Sequence, residues 1–285
     1  MHFIKKKLIV FAVALLILNS TYLNGQENET SRSFTLGLIR EVHSTITNEC
    51  YELIINFPYS YQQDTLKSYP VVYFCDGYWD FPLLAMIYGN QIYDKTISEC
   101  FLVGFSYKGE NLDYEKLRLY DYSPTEIKQF GRTGGAANFL QVIEKEFIPF
   151  MEKNYRIDSS FRALGGSSLG GLFALYAMFT RPDLFHAYIA VSPATIWDND
   201  WLFKLEEEFH NKHPALPVSL YMTGAEKESP DFLNSIRSFN DALEKRNYSS
   251  FRYYFRVLDD AYHAGSKPEG YTRGMQFIFK PLLKK

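Results

Sequence analysis

Apolar and polar positions alternate along two stretches near the start of the chain, 33–47 and 50–59, with a polar break at Thr47, Asn48 and Glu49 between them. A period of two predicts strands with one covered face, here paired as an antiparallel hairpin. The pattern then changes. Residues 70–74 and 100–105 are short unbroken apolar runs, as expected of strands buried on both faces, and helical spacing over 81–93 separates them. The segment 106–135 is polar and aromatic and reads as a loop, long enough to suggest a functional one. Helical spacing returns over 136–154 through Phe139, Leu140, Val142, Ile143, Phe147 and Ile148, in spite of Pro149. Further strands at 161–164, 187–191, 218–223 and 251–257 alternate with helices over 172–179, around 201–209, around 231–245 and at 271–283. Such alternation implies an α/β fold: a mostly parallel sheet with helices on both faces, led by the antiparallel hairpin.

Ahead of the hairpin, Lys5, Lys6 and Lys7 precede an apolar run over 8–18, and small polar residues follow through Asn19, Ser20, Gly25 and Gln26. This is the pattern of a secretory signal peptide cut near Gly25. The run is about half the roughly 20 residues that span a bilayer, so no membrane span is expected once the signal is removed. The expected organisation is a signal over 1–25 and one domain over 26–285, secreted or periplasmic. A formal charge of −3 argues against a nucleic-acid partner. The 22 tyrosines and 24 phenylalanines supply core mass and are also the residues that line grooves for sugars or aromatic acyl groups. Three cysteines have no metal-ligand spacing, and a bridge between Cys50 and Cys100 is left open, with Cys75 in a buried strand.

The candidate chemistry centres on Arg162, Ala163, Leu164, Gly165, Gly166, Ser167, Ser168, Leu169, Gly170 and Gly171, which run from a predicted strand into a predicted helix. A serine hydroxyl attacks only when held in the open beside a base, and a tight strand-to-helix turn provides that exposure if its neighbours are small. Only Gly166, Ser167, Ser168, Leu169 and Gly170 fit the frame Gly, any residue, Ser, any residue, Gly, which makes Ser168 the nucleophile rather than Ser167. The Leu169 N–H would lie at a helix N-terminus, where partial positive charge favours an oxyanion. Catalytic groups of a parallel sheet gather beyond its carboxyl ends. After the strand at 218–223 come Glu226 and Glu228, and after the last strand comes His263, giving the order serine, carboxylate, histidine. His263 is the candidate base and Glu226 the favoured acid, chosen over Glu228 for its closeness to the strand end. The second oxyanion donor is expected from Gly77 or Tyr78, in the turn after the strand at 70–74.

These residues resemble the esterase family of α/β hydrolases that includes esterase D-like and enterochelin esterase-like enzymes. The resemblance runs from about Phe34 to Phe279. It rests on Asp76–Gly77 ending a strand; Arg118, Asp121, Ser123 and Pro124; Phe139, Ile148 and Pro149; the elbow and its helix; Arg181, Pro182, Asp183, Leu184 and Phe185; Ser192, Pro193 and Trp197; and His263 with Ser266. It implies an α/β-hydrolase fold and hydrolysis of carboxylic esters through an acyl-enzyme, without metal or organic cofactor. Its substrates would be siderophore-type or saccharide-linked esters; an acyltransferase on the same residues, or an exported binding module that lost the chemistry, are the alternatives. Trp79, Trp197 and the 106–135 segment are the expected substrate-facing wall. Arg118 is a substrate-binding candidate, although bracing of the loop is its favoured role.

Overall fold

The computed structural model describes residues 35–283, so the expected signal at 1–25 lies outside the described residues. Eight strands make one sheet in the order β1-β2-β4-β3-β5-β6-β7-β8. They are β1 Leu38–His43, β2 Cys50–Asn56, β3 Tyr69–Phe74, β4 Phe101–Tyr107, β5 Ile157–Ser167, β6 Ala187–Val191, β7 Ser219–Ala225 and β8 Arg252–Leu258. Only the pairings of β2 with β1 and with β4 are antiparallel, so the hairpin extends a parallel sheet as expected. The unbroken apolar runs are covered twice because alternate residues feed opposite layers. Val71, Tyr73, Val103 and Leu164 enter one core, and Val72, Phe74, Leu102 and Ala163 enter the other.

Two helices close the second of these faces: α1 (Gly77–Tyr93), through Phe81, Leu84 and Tyr88, and α8 (Lys267–Phe279), through Tyr271, Met275 and Ile278. The other face carries α2 (Tyr114–Tyr122), α3 (Ala136–Val142), α4 (Ile148–Asn154), α5 (Leu169–Thr180), α6 (Trp197–His210) and α7 (Pro230–Arg246). No described helix is long and apolar enough to cross a membrane.

Helix α2 lies inside the stretch expected to be a loop. Its sequence is dominated by Tyr, Lys, Glu, Arg and Asp, so apolar periodicity is faint, but Asp113 caps it by accepting from the Lys116 N–H at 3.2 Å. The helix expected over 136–154 runs without interruption, α3 passing into α4 through one wide turn at Ile143–Phe147. That wide turn comes just before Pro149, where the continuing helix must accommodate a residue with no N–H to donate. Both α1 and α8 begin four residues before their apolar spacing does: the first turn of α8 is Lys267, Pro268, Glu269 and Gly270, and that of α1 carries Tyr78 and Trp79 outward, so neither adds to the buried stripe.

All three cysteines are free. Cys50 starts β2, beside Lys108, whereas Cys100 lies just before β4, beyond the rung that pairs Leu102 with Asn56. The two are thus at opposite ends of one ladder, roughly 20 Å apart or more by strand rise, when a bridge needs Cα atoms within about 7 Å.

Candidate active site

Strand β5 ends at Ser167 and α5 begins at Leu169, leaving Ser168 alone in the turn with φ 58° and ψ −119°. That conformation is costly for a residue with a Cβ and survives only where its surroundings hold it. Here the Ser168 N–H donates to the Val191 carbonyl and its carbonyl accepts from the Ala194 N–H, both at 3.0 Å. A Cβ on Gly166 would lie 2.4 Å from the Gly170 carbonyl group, and one on Gly170 would lie 2.8 Å from Cys75 Cβ. The two glycines therefore permit the sharp turn and its seating against β3. Ser168 is half-buried, while Ser167 is buried and its hydroxyl has no partner.

Because β3 and β5 are parallel neighbours, with Phe74 opposite Gly165, the helices that follow them start side by side. Asp76 adopts the left-handed conformation at φ 57° and turns the chain into α1 at Gly77. Gly77 is pressed against β4, since a Cβ there would lie 2.7 Å from the Gly104 carbonyl carbon. Leu169, Gly77 and Tyr78 are first-turn residues of their helices, whose N–H groups have no carbonyl partner within the helix. These N–H groups form a donor cluster at two adjacent helix N-termini, suited to an oxyanion.

Arg118 does not present its charge to this space. Its Nε and Nη2 donate to Asp76 Oδ1 and Oδ2 at 2.6 and 2.9 Å, a fork-to-carboxylate pair with both side chains buried. The Asp76 N–H donates to the Tyr122 hydroxyl at 3.0 Å. Arg118 is thus the brace of the Asp76 turn rather than a free binding group. Trp197 also departs from its expected place. It is buried, its indole N–H donates to Thr125 Oγ1 at 2.9 Å, and its ring packs 5.8 Å from Phe130, which ties α6 to the 106–135 segment. Trp79 is exposed, as is Tyr78, whose ring stacks on Tyr114 with centroids 3.7 Å apart and planes at 13°. Tyr114, hidden in the sequence by an unrecognised helix, completes an aromatic shelf next to the donor cluster.

Beyond β7 and β8 the structure brings the alternative glutamate, Glu228, and not Glu226, against His263. His263 Nδ1 is 2.7 Å from Glu228 Oε1, and the Glu228 side chain is only 2% exposed. Glu228 Oε2 accepts from the Ala225 N–H at 3.1 Å, so the carboxylate is held at both oxygens. Glu226, the expected acid, points elsewhere: it accepts from the Asp260 N–H at 2.6 Å and pairs with Lys227. Its role is to hold the turn that carries His263. Phe232 of α7 packs edge-on against the imidazole at 5.2 Å, and Ser266 Oγ donates to the His263 carbonyl at 2.6 Å. The imidazole remains partly exposed, at 43%.

Asp121, one helical turn past Arg118, lies buried near Tyr51, Tyr107 and Arg132. Burial lifts its carboxyl from 3.8 to about 7, against the opposing pull of the Tyr107 and Tyr51 hydroxyls and Arg132. Between those values the folded protein holds a proton that the unfolded chain has released, so this group withdraws stability as pH rises through that window. Asp121→Asn should therefore gain on the native protein in urea midpoint from about pH 4 to pH 7. A difference that stays constant over that range would refute the assignment.

The chain is similar to ferri-bacillibactin esterase BesA of Bacillus subtilis, at 25% identity over 88% of this chain and 93% of that protein. It also resembles the siderophore triacetylfusarinine C esterase of Aspergillus fumigatus, at 30% identity over 55% of each chain. Among solved structures, the BES protein from Bacillus cereus matches with TM-score 0.77 and 26% identity, covering 88% of this chain and 98% of that one. An IroE-like serine hydrolase from Shewanella oneidensis also matches, with TM-score 0.77 and 27% identity over 86% of this chain and 80% of its own. Residues 44–255 match the family described as "Putative esterase", and with this sheet order and site the chain belongs to that family of α/β hydrolases, which act on esters.

Proposed function

We propose that the chain is an exported serine esterase that cleaves siderophore-type esters through an acyl-enzyme. The single observation that carries this reading is the 2.7 Å contact between His263 Nδ1 and a buried Glu228 carboxylate. A carboxylate there keeps the proton on Nδ1 and leaves Nε2 as the basic nitrogen. Nε2 takes the Ser168 proton as Oγ attacks the ester carbonyl, and the cation that forms is stabilised by Glu228. The N–H groups of Leu169 and of Gly77 or Tyr78 receive the oxyanion, then His263 returns its proton to the leaving alcohol. Water, activated by the same nitrogen, clears the acyl group.

The substrate class follows from two supports. Two of the proteins named above, those of Bacillus subtilis and Aspergillus fumigatus, are siderophore esterases, and the exposed rings of Tyr78 and Trp79, with Tyr114 stacked on Tyr78, offer a shelf to a flat acyl group. Export rests on the lysines and apolar run of residues 1–25. A fluorophosphonate should add one group to the purified protein, and peptide mapping should place it on Ser168. The untreated protein should show a higher kcat/KM on a siderophore lactone than on acetylated xylan. An adduct at any other residue would sink the nucleophile, and the reverse preference would sink the substrate class.

A further inference from the structure

A partly buried ion pair joins the two halves of this site. Asp80, in the first turn of α1, is 3% exposed, and both its oxygens are used: Lys267 Nζ donates to Oδ1 and the Tyr271 hydroxyl to Oδ2, each at 2.7 Å. Asp80 lies three residues after Gly77, on the turn that carries the oxyanion donors. Lys267 lies four residues after His263, at the first position of α8.

The fold fixes one end of this link firmly. A Cβ on Gly270 would lie 2.8 Å from Val191, and one on Gly274 would lie 2.6 Å from Ile189, so α8 rests directly on β6. Gln91 Nε2 also donates to the Thr272 carbonyl at 3.2 Å, holding α1 to α8 further along. The His263 turn is tied to β7 and α7 through Glu228, Phe232, Glu226 and Lys227, and to itself and β6 through Ser266, whose Oγ donates to the His263 carbonyl and lies 3.2 Å from Ser192 Oγ; none of these ties runs to α1. Lys267 is the one described side chain of the 259–267 stretch that reaches α1 by a hydrogen bond or ion pair.

We infer that the Lys267–Asp80 pair sets the separation between the imidazole and the oxyanion donors, which makes Lys267 a positioning residue for the reaction. This inference rests on the Ser168 and His263 reading above. The Asp80 carboxylate is buried while the Lys267 side chain is 22% exposed, so removing the lysine leaves a buried charge without its cation. An error of about 1 Å in the placement of a reacting group can cost on the order of 10²-fold in rate.

Lys267→Met should therefore lower kcat by about tenfold to a hundredfold with KM changed less than about threefold, since the shelf that binds substrate is untouched. Lys267→Arg, which restores the charge and the reach, should recover most of that loss. Tyr271→Phe, which removes the other donor to Asp80 without touching the His263 turn, should keep kcat within about threefold of the native value. Should Lys267→Met fail to fold, Lys267→Gln carries the same measurement. A folded Lys267 variant with native kcat, or one whose loss is all in KM, would overturn the inference. Failure of the underlying reading looks different: the fluorophosphonate would then not label Ser168 in the native protein at all.

Discussion

Ser168→Ala is expected to reduce turnover on the order of 10⁶-fold, and Ser167→Ala to leave it nearly intact, although the two hydroxyls are adjacent in sequence. The backbone makes the difference. Ser167 is the last residue of β5, buried at 1% exposure, with an Oγ that finds no partner. Removing it deletes a buried polar atom that gains nothing in the fold, so stability should move by no more than about 1 kcal/mol. Ser168 sits on the strained turn at φ 58°, where the side chain of a strand-to-helix elbow is thrown outward, beside the first N–H groups of α5. Its replacement by Ala leaves the backbone and the two hydrogen bonds to Val191 and Ala194 in place, so the thermal midpoint should hold while acylation vanishes. Rate measurements on a p-nitrophenyl ester, with circular dichroism melts on the same samples, decide the matter. Equal losses from the two alanines would mean that the wrong hydroxyl has been placed at the carbonyl.

That turn was legible because all its information is contiguous. Gly166, Ser168 and Gly170 are within five residues, and their close approaches, 2.4 Å for a Cβ at Gly166, arise within the same bend. The strands were legible for a related reason: continuous burial, complete across β4 and β6, writes itself as unbroken apolar runs. What the sequence hid depends on partners distant along the chain. Helix α2 owes its place to Arg118 reaching Asp76 and to Tyr122 packing against Phe139 and Phe173, contacts that leave no period in the local sequence. Trp197 read as a substrate wall because an aromatic residue beside a site motif is ambiguous until its indole N–H is seen to be spent on Thr125. The Lys267–Asp80 pair spans the molecule from the first helix to the last and has no local signature.

The glutamates show how a local rule failed. Closeness to the strand end favours Glu226 only for a chain that leaves β7 straight. This one does not. The Glu226 N–H still bonds to the Leu258 carbonyl, continuing the β7–β8 ladder, and the Glu228 N–H then bonds back to the Ala225 carbonyl at 3.3 Å. The chain thus folds over within three residues and returns the later glutamate to the site. A turn of this kind depends on the pairing of β8, which no nearby residue announces.

The largest test of this correction is Glu228→Gln, which should cost on the order of 10⁴ in kcat, with the protein still folded. The size follows from which end of the amide faces the imidazole. The Ala225 N–H donates to Glu228 Oε2 at 3.1 Å and demands an acceptor, so a glutamine would place its oxygen there and turn its NH2 toward Nδ1. Nδ1 would then have to accept, the ring proton would move to Nε2, and Nε2 could no longer take the proton from Ser168. Glu226→Gln makes the matched control. Its amide oxygen can still accept from the Asp260 N–H, and the side chain is 47% exposed, so kcat should fall no more than about threefold. Steady-state kinetics of the two variants on one ester, compared at pH 7 with native protein, separate the assignments. A loss at Glu226 equal to that at Glu228 would return the acid to the earlier glutamate; a mild loss at both would leave Ser168 and His263 working without a carboxylate partner.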